Sequence, residues 1–286
     1  MSILVTGATG TIGTETLRIL GQRGAAGVRA LVRDNEKAAL VTAHGVEPVI
    51  GAFEDRSTLD AALSGIETVV LITPASPEAE KQASSVVETA KAAGAKRIVR
   101  ISAIKADTKG PTNSTRAHGR TEQEIAASGL SHVFLRPNLF MQNMFMAADQ
   151  IGQQGQFSFA MGAGKMGMID TRDIASCAAE CAMSERWDGQ TLELTGPKAI
   201  SYTDAAGILK EVSGKPIEYV PMAPADMYAM IEAAGWGEWM AALARDYGKA
   251  YASGWGEFTT TNVEKITDRP PRPFETFAKE VFLPIL

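Results

Sequence analysis

Short apolar runs alternate with longer amphipathic stretches through the first half of the chain, which is the pattern of βαβ units around a parallel sheet. Strands are predicted at residues 3–6, 28–32, 47–50, 68–72, 97–102 and 132–136. Several of these are apolar throughout rather than alternating, as strands covered on both faces by crossover helices should be. Helices are predicted between them at 12–22, 57–64, 79–93 and 115–128, each closed by or near a glycine at 21, 65, 94 or 129. Six strands in this order predict an α/β fold, a doubly wound parallel sheet of the Rossmann type.

Beyond Pro137 the periodicity loosens, and Gly, Met and aromatic residues dominate from Leu139 to Met168. A helix at 173–183 and one more strand in TLELTG follow, then helices at 202–213 and 224–233 and a tail broken by Pro270, Pro271, Pro273 and Pro284. The expected division is a nucleotide-binding domain at 1–156, completed by about 169–195. A smaller, partly interleaved substrate-binding lobe is expected at 157–168 and 196–286.

Composition narrows the partners. The chain has 286 residues, 45% of them hydrophobic, enough for a sizeable core. Its 33 acidic and 28 basic residues give a net charge of −5 with no run of Lys or Arg, so nucleic acid is not an expected partner. No stretch approaches the ~18 apolar residues of a spanning helix, and the opening residues read as strand and turn rather than a signal segment. A cytoplasmic protein without a membrane partner is expected, as monomer or homodimer. Cys177 and Cys181 share one face of one helix and read as small core residues; with only three histidines no metal site is expected.

The chemistry starts at Gly7, Gly10 and Gly13 in GATGTIG, which follow the strand ILVT and open a helix. The first glycine makes a tight turn, the second lets the backbone approach a pyrophosphate, and the third lets helix and strand pack closely. Exposed N–H groups at the helix start then hold the anion. Gly7, Thr9, Gly10, Thr11, Ile12 and Gly13 are therefore candidate cofactor-binding residues. The second strand ends in ALVRD, placing Arg33 where an acid would otherwise meet the ribose 2′-hydroxyl. A guanidinium there suits a 2′-phosphate and favours NADP(H) over NAD(H). In the alternative reading Arg33 is a solvated loop charge and Asp34 takes the ribose. Thr73 and Pro74 after the fourth strand, Ser102 after the fifth, and Pro137 and Asn138 after the sixth stand at strand exits where nicotinamide and substrate should meet.

The helix at 115–128 has neither tyrosine nor lysine; the first tyrosine of the chain is Tyr202. The Tyr-x-x-x-Lys pair that protonates carbonyl substrates in short-chain dehydrogenases is thus absent. In its place AHGRTEQEI sets His118 and Glu122 at i and i+4, readable either as a catalytic histidine or as a surface histidine paired with the glutamate.

The G-x-x-G-x-x-G spacing resembles that of the extended and atypical short-chain dehydrogenases. With ALVRD, RIVRISA, the His118 to Glu122 helix, FLRPNLFMQNM, IDTRDIA and GILKEVSGKPIEYVPM, about three quarters of the chain resembles the NmrA-like atypical group. Its small bacterial members reduce quinones, azo dyes and triphenylmethane dyes. One departure is Gly51, Ala52 and Phe53, where the family pattern has Gly-Asp and the carboxylate contacts the adenine amine; adenine is expected to lie near Phe53 instead.

The resemblance implies an NADPH-dependent reductase that transfers hydride to a small conjugated electrophile. Such acceptors are already activated, so placement matters more than a strong acid; a proton would come from water or from His118. Phe140, Met141 and Met144, in a stretch that also holds Met146, Met161, Met166 and Met168, are candidates for an adaptable substrate pocket. Trp236, Trp239 and Trp255 suit either a hydrophobic cap or a subunit contact. Asp173 is expected to cap its helix rather than to act in catalysis. Rival readings are an imine, enone or ketone reductase with a displaced proton donor, and a nonenzymatic NADP-binding redox sensor.

Overall fold

The computed structural model describes residues 2–286. Its strands are β1 (Ile3–Val5), β2 (Val28–Val32), β3 (Glu47–Ile50), β4 (Thr68–Leu71), β5 (Arg97–Ile101), β6 (Ser131–Pro137), β7 (Gln156–Phe157), β8 (Thr191–Leu194) and β9 (Glu218–Tyr219). Helices α1 (Thr11–Gln22), α2 (Asn35–Thr42), α3 (Arg56–Leu63), α4 (Ala79–Ala92) and α5 (Asn113–Ala127) separate the first six strands. The large sheet runs β3-β2-β1-β4-β5-β6-β8, and every pair from β3 to β6 is parallel. This is the doubly wound α/β fold expected from the apolar runs. Its strand order reverses between β1 and β4, the topological switch point beside which such sheets bind ligands.

The local chemistry explains the placement of the strands. β1, β4 and β5 are buried along their whole length, as their Val, Ile and Leu content demands. β3 is the edge strand, half open to solvent, and there Pro48 can stand opposite Ala30 without costing the ladder a donor. Leu4, Leu31, Leu59, Leu63, Val69, Val86, Ile98 and Phe134 build one core cluster between the sheet and its helices.

The chain divides into two compact units. The first comprises the residues up to 108 with 117–136 and 174–192; the second comprises 109–116, 137–173 and 193–286. The division therefore falls at Pro137 rather than near residue 156, and the start of α5 belongs to the second unit. That unit adds α6 (Ala148–Gln154), the opening of α7 (Thr171–Met183), α8 (Tyr202–Ser213), α9 (Pro224–Ala233), α10 (Glu238–Ala252), α11 (Asn262–Thr267) and α12 (Phe274–Phe277). β7 and β9 pair in parallel within it over a cluster of Phe157, Phe159, Tyr202 and Tyr219. No helix among the described residues is long and apolar enough to cross a membrane.

Five helices, α2, α6, α10, α11 and α12, have no counterpart in the sequence prediction. α2 buries only Val41, so it has no apolar stripe for periodicity to reveal. α10 buries Ala241, Leu243, Gly248, Ala250 and Tyr251, mostly residues too small to mark a face. The expected capping role of Asp173 is also corrected: α7 starts at Thr171, and it is Asp170 that accepts the Arg172 N–H at 2.9 Å. Asp173 stands in the first turn, where its carboxylate holds the Arg272 backbone N–H at 2.7 Å and the Arg272 side chain.

Arg97, the first residue of β5, is buried and clamps the end of α7. Its Nη2 donates to the carbonyls of Cys181 and Ser184 at 2.8 and 2.7 Å and to Asp188 at 2.6 Å. Removing one member of such a buried network leaves the others without partners. Arg97→Ala is expected to lower unfolding free energy by about 3 kcal/mol, read from urea denaturation.

Candidate functional site

At the carboxyl ends of β1 and β4, buried Thr6 donates through Oγ1 to the Ile72 carbonyl at 2.8 Å and accepts the Ile72 N–H at 2.9 Å. The two strands on either side of the switch point are thereby tied together. Immediately beyond, the backbone turns at Gly7 with φ +58°, where a Cβ would come within 3.0 Å of Ile72. Gly10 donates its N–H to the Gly7 carbonyl at 3.0 Å. At Gly13 a Cβ would lie 2.2 Å from the Gly7 oxygen, so only glycine lets the first turn of α1 rest on the loop.

The start of α1 is left bare. Gly10 in the capping position has no side chain to offer, and the first turn contains no acid. Asp34 and Asp55, by contrast, cap α2 and α3 with their carboxylates. The amides of Thr11, Ile12 and Gly13 consequently have no intrahelical acceptor, and the helix dipole adds to their pull on an anion. Thr9, Gly10 and Thr11 are exposed, while Ile12 and Gly13 anchor the turn from the buried side. The residues present fit a dinucleotide pyrophosphate: a cradle that any Cβ would fill, with donors and no competing carboxylate.

At the end of β2, Arg33 is exposed and has no hydrogen bond or ion pair to another described residue. The neighbouring Asp34 carboxylate accepts the Lys37 N–H at 2.8 Å and so serves the α2 cap. Phe53 is only 8% exposed and packs in the core cluster, so an adenine would meet little of its ring.

The exits of β4 and β5 carry a polar network that the sequence analysis did not anticipate. Arg100, in β5, is 1% exposed. It donates to the Leu71 carbonyl at 3.2 Å, to Thr73 Oγ1 at 2.9 Å, and to His118 Nδ1 at 3.2 Å. Burial pushes its pKa down to about 10, against a smaller opposing pull from Glu122, so it remains a cation at neutral pH. Its signal in the sequence was a charge set between Val99 and Ile101, whose side chains demand burial.

His118 does not pair with Glu122, contrary to one expectation. Glu122 instead accepts Ser102 Oγ–H at 2.5 Å and Arg136 at 3.0 and 2.5 Å. Ser102 thus gives its hydroxyl hydrogen to a carboxylate already neutralised by an arginine. His118 is half-buried, and burial first, then the Arg100 charge, hold its pKa well below the ordinary histidine value. The imidazole is neutral at physiological pH, not the acid poised near neutrality that its residue type suggested. Gly119 lets α5 come close to the loop after β5, since a Cβ there would lie 2.4 Å from the Asp107 carbonyl carbon. Pro74 is exposed and Thr73 half-buried beside this network.

The remaining candidates lie in the second unit. Asn138 is buried, and its amide is committed to structure: Nδ2 donates to the Gly256 carbonyl at 3.0 Å, and Oδ1 accepts from Leu139 N–H at 2.7 Å and Tyr251 OH at 3.1 Å. Pro137 is buried beside it, Met141 and Met144 are buried on a 3-10 helix, and Phe140 is half-buried. Trp255 joins Tyr247 and Tyr251 in an aromatic cluster, Trp239 accepts from Asn113 through its carbonyl, and Trp236 is exposed. Cys177 and Cys181 are buried in α7, and burial pushes the Cys181 thiol up to about 12. Among the described residues no group of three or more His, Cys, Asp or Glu is arranged to hold a metal.

Residues 7–185 match the family described as NAD(P)H-binding. The chain is similar to an NAD(P)H azoreductase of Xenophilus azovorans, with 35% identity over 97% of this chain and 96% of the relative. It also superposes on the crystal structure of an NADPH-dependent quinone oxidoreductase from Escherichia coli complexed with NADPH. There the TM-score is 0.88 and the identity 27%, with 98% of this chain and 99% of the other covered. A Citrobacter triphenylmethane reductase complexed with NADP(H) matches with a TM-score of 0.86 and 25% identity, covering 98% of this chain and 99% of that one.

Two outcomes test the site. Gly13→Ala should abolish NADPH binding in calorimetry while circular dichroism retains the fold's helix content, because the added methyl displaces the amides from the loop. A second test concerns His118, which is neutral when folded and protonated when unfolded below its ordinary pKa. The unfolded state then binds more protons, so stability should fall with pH below about 6.5, by at most about 1.4 kcal/mol per pH unit. His118→Asn should remove that part of the acid-side loss in urea titrations at pH 5 and 7.

Proposed function

The chain belongs to the NAD(P)H-binding family, and from that premise we propose that it is a reductase selective for NADPH that delivers hydride to small conjugated electrophiles of the quinone, azo or dye type. It is an NAD(P)H-dependent reductase; selectivity and acceptor class are the parts inferred. One observation carries the reading: an uncapped helix start at the switch point stands in the same unit as Arg33, exposed and unbonded at the end of β2. The amides at Thr11, Ile12 and Gly13 would hold the pyrophosphate, and Arg33 a 2′-phosphate, to which it can offer a bidentate fork. With Asp34 engaged as a cap, the acid that would favour an unphosphorylated ribose is occupied.

The cofactor, when bound, supplies the hydride. This chain's own residues position the reactants. The exits of β4 and β5, through Thr73, Pro74 and Ser102, are where the nicotinamide end would lie. Ser102 donates to Glu122 and is thereby available to a ligand only as an acceptor. His118 can offer a neutral N–H to an oxygen or nitrogen of the acceptor as negative charge develops there. In a quinone, azo compound or extended dye that charge is delocalised, so the absence of a tyrosine and lysine on α5 is tolerable. The names of the azoreductase and quinone oxidoreductase relatives support this acceptor class. Adenine near Phe53, the strand-exit residues Pro137 and Asn138, and the side chains Phe140, Met141 and Met144 against substrate complete the proposed contacts. For Asn138 the contact would be through the backbone, given its engaged amide.

Arg33→Ala should raise the Kd for NADPH at least tenfold in calorimetry while barely changing that for NADH; equal weakening of both would remove the selectivity argument. NADPH oxidation measured at 340 nm should be rapid with quinones and azo dyes and slow with simple ketones. His118→Ala should leave quinone turnover within about tenfold, because a single neutral hydrogen bond is worth about 0.5–1.5 kcal/mol. A much larger loss would assign His118 a proton-transfer role.

A further inference from the structure

Arg100 is buried in β5 between Val99 and Ile101 and makes no salt bridge to a described carboxylate, Glu122 acting on it only at longer range. Its Nε, buried, has no hydrogen-bond partner. A buried charge without a paired counter-ion is expensive, so the place of Arg100 is set by what its donors hold. Two of its three hydrogen bonds, to the Leu71 carbonyl and Thr73 Oγ1, fix the guanidinium at the exit of β4; the third reaches His118.

That third contact has only one chemically consistent form. A guanidinium nitrogen can donate and cannot accept, so His118 Nδ1 must be the acceptor and carry no proton. The ring proton is then on Nε2. Adding a second proton to the ring would set two N–H donors and two positive charges against each other at 3.2 Å. The other charged groups on the adjoining elements do not offset this: Glu122, one turn along α5, is engaged by Ser102 and Arg136.

We propose that Arg100 is a positioning residue which locks His118 in its neutral Nε2–H tautomer, so that the imidazole presents a permanent hydrogen-bond donor that does not titrate across the working pH range. The proposal rests on the preceding reading insofar as the Nε2–H serves a substrate atom. The lock itself does not depend on that reading. A histidine so held acts as a fixed dipole toward developing negative charge, and the proton that completes reduction comes from water rather than from the ring. Thr73 shares in the arrangement, because its hydroxyl oxygen accepts from the same Nη2 that reaches the imidazole.

The experiment uses the full chain, labelled with 15N-histidine, in long-range proton–nitrogen spectra between pH 5 and 8, with His118→Asn to assign the signal against His44 and His132. The expected result is a His118 signal of the neutral Nε2–H form, unchanged through the range. Arg100→Met should give a folded protein in which the Nδ1–H tautomer becomes populated and the His118 titration moves upward, burial still holding it below the ordinary histidine value, and Arg100→Lys should restore the lock in part. With quinone as acceptor, Arg100→Met should lower kcat and introduce a pH dependence between 5 and 8 that His118→Asn lacks, with the KM for NADPH within about twofold of the parent. Titration of His118 in the unaltered protein within that range overturns the proposal without recourse to any variant. An unchanged tautomer in folded Arg100→Met also overturns it. Spectra as expected with undiminished turnover in His118→Asn would uphold the lock and remove instead the assignment of His118 to the substrate.

Discussion

The approach of Gly13 to the Gly7 carbonyl is the constraint on which the rest depends. A methyl group at residue 13 would lie 2.2 Å from that oxygen. Because it is missing, the first turn of α1 lies directly on the loop that leaves β1. The Thr6 hydroxyl, bonded twice to Ile72, holds the neighbouring strand exit beside it. Three unbonded amides thus meet the switch point of the sheet, where the reversal of strand order opens a crevice. An anion is the natural complement of that arrangement, and the chain supplies no acid to mimic one.

Around this fixed point the first unit separates two kinds of buried charge. Arg97 and Arg100 lie three residues apart in one strand and are both buried, yet they do different work. Arg97 closes the carbonyl end of α7 with the help of Asp188, an architectural clamp. Arg100 has no acidic partner and directs its donors to the mouth of the crevice. Glu122 and Arg136 neutralise one another and orient Ser102. The resulting network is polar, with the Glu122 carboxylate held by Ser102 and Arg136.

The second unit contributes rigidity of another sort. Asn138, directly after the sixth strand, ties its own loop to Gly256 and to the Tyr251 hydroxyl. The methionines of the following 3-10 helix point in opposite senses as far as solvent is concerned: Met141 and Met144 are buried, and Met146 is exposed. Methionine content alone therefore does not describe a pocket, because the turn of the helix decides which of them a ligand could reach.

The six strands and the glycine turn were legible in the sequence because each is a local property. Strands covered on both faces must be apolar throughout, and a turn with positive φ beside a helix start selects glycine wherever it occurs. Arg33 was legible for the same reason, since its place follows from the end of β2. The partners of His118 were not. Helical spacing set Glu122 beside it, but Glu122 is drawn to Ser102 and Arg136, and His118 to an arginine eighteen residues back in β5. Which of several nearby donors an acceptor takes is settled by the packing of strand exits against α5, and no periodicity along the chain encodes that choice. The same holds for α2 and α10, whose faces are too weakly apolar to announce themselves, and for Asp173, drawn to an arginine ninety-nine residues away. Sequence determined the glycine turn and the bare helix start beside it; tertiary packing decided what charge and which tautomer stand at the exits of β4 and β5, because those follow from burial and from competition among partners distant along the chain.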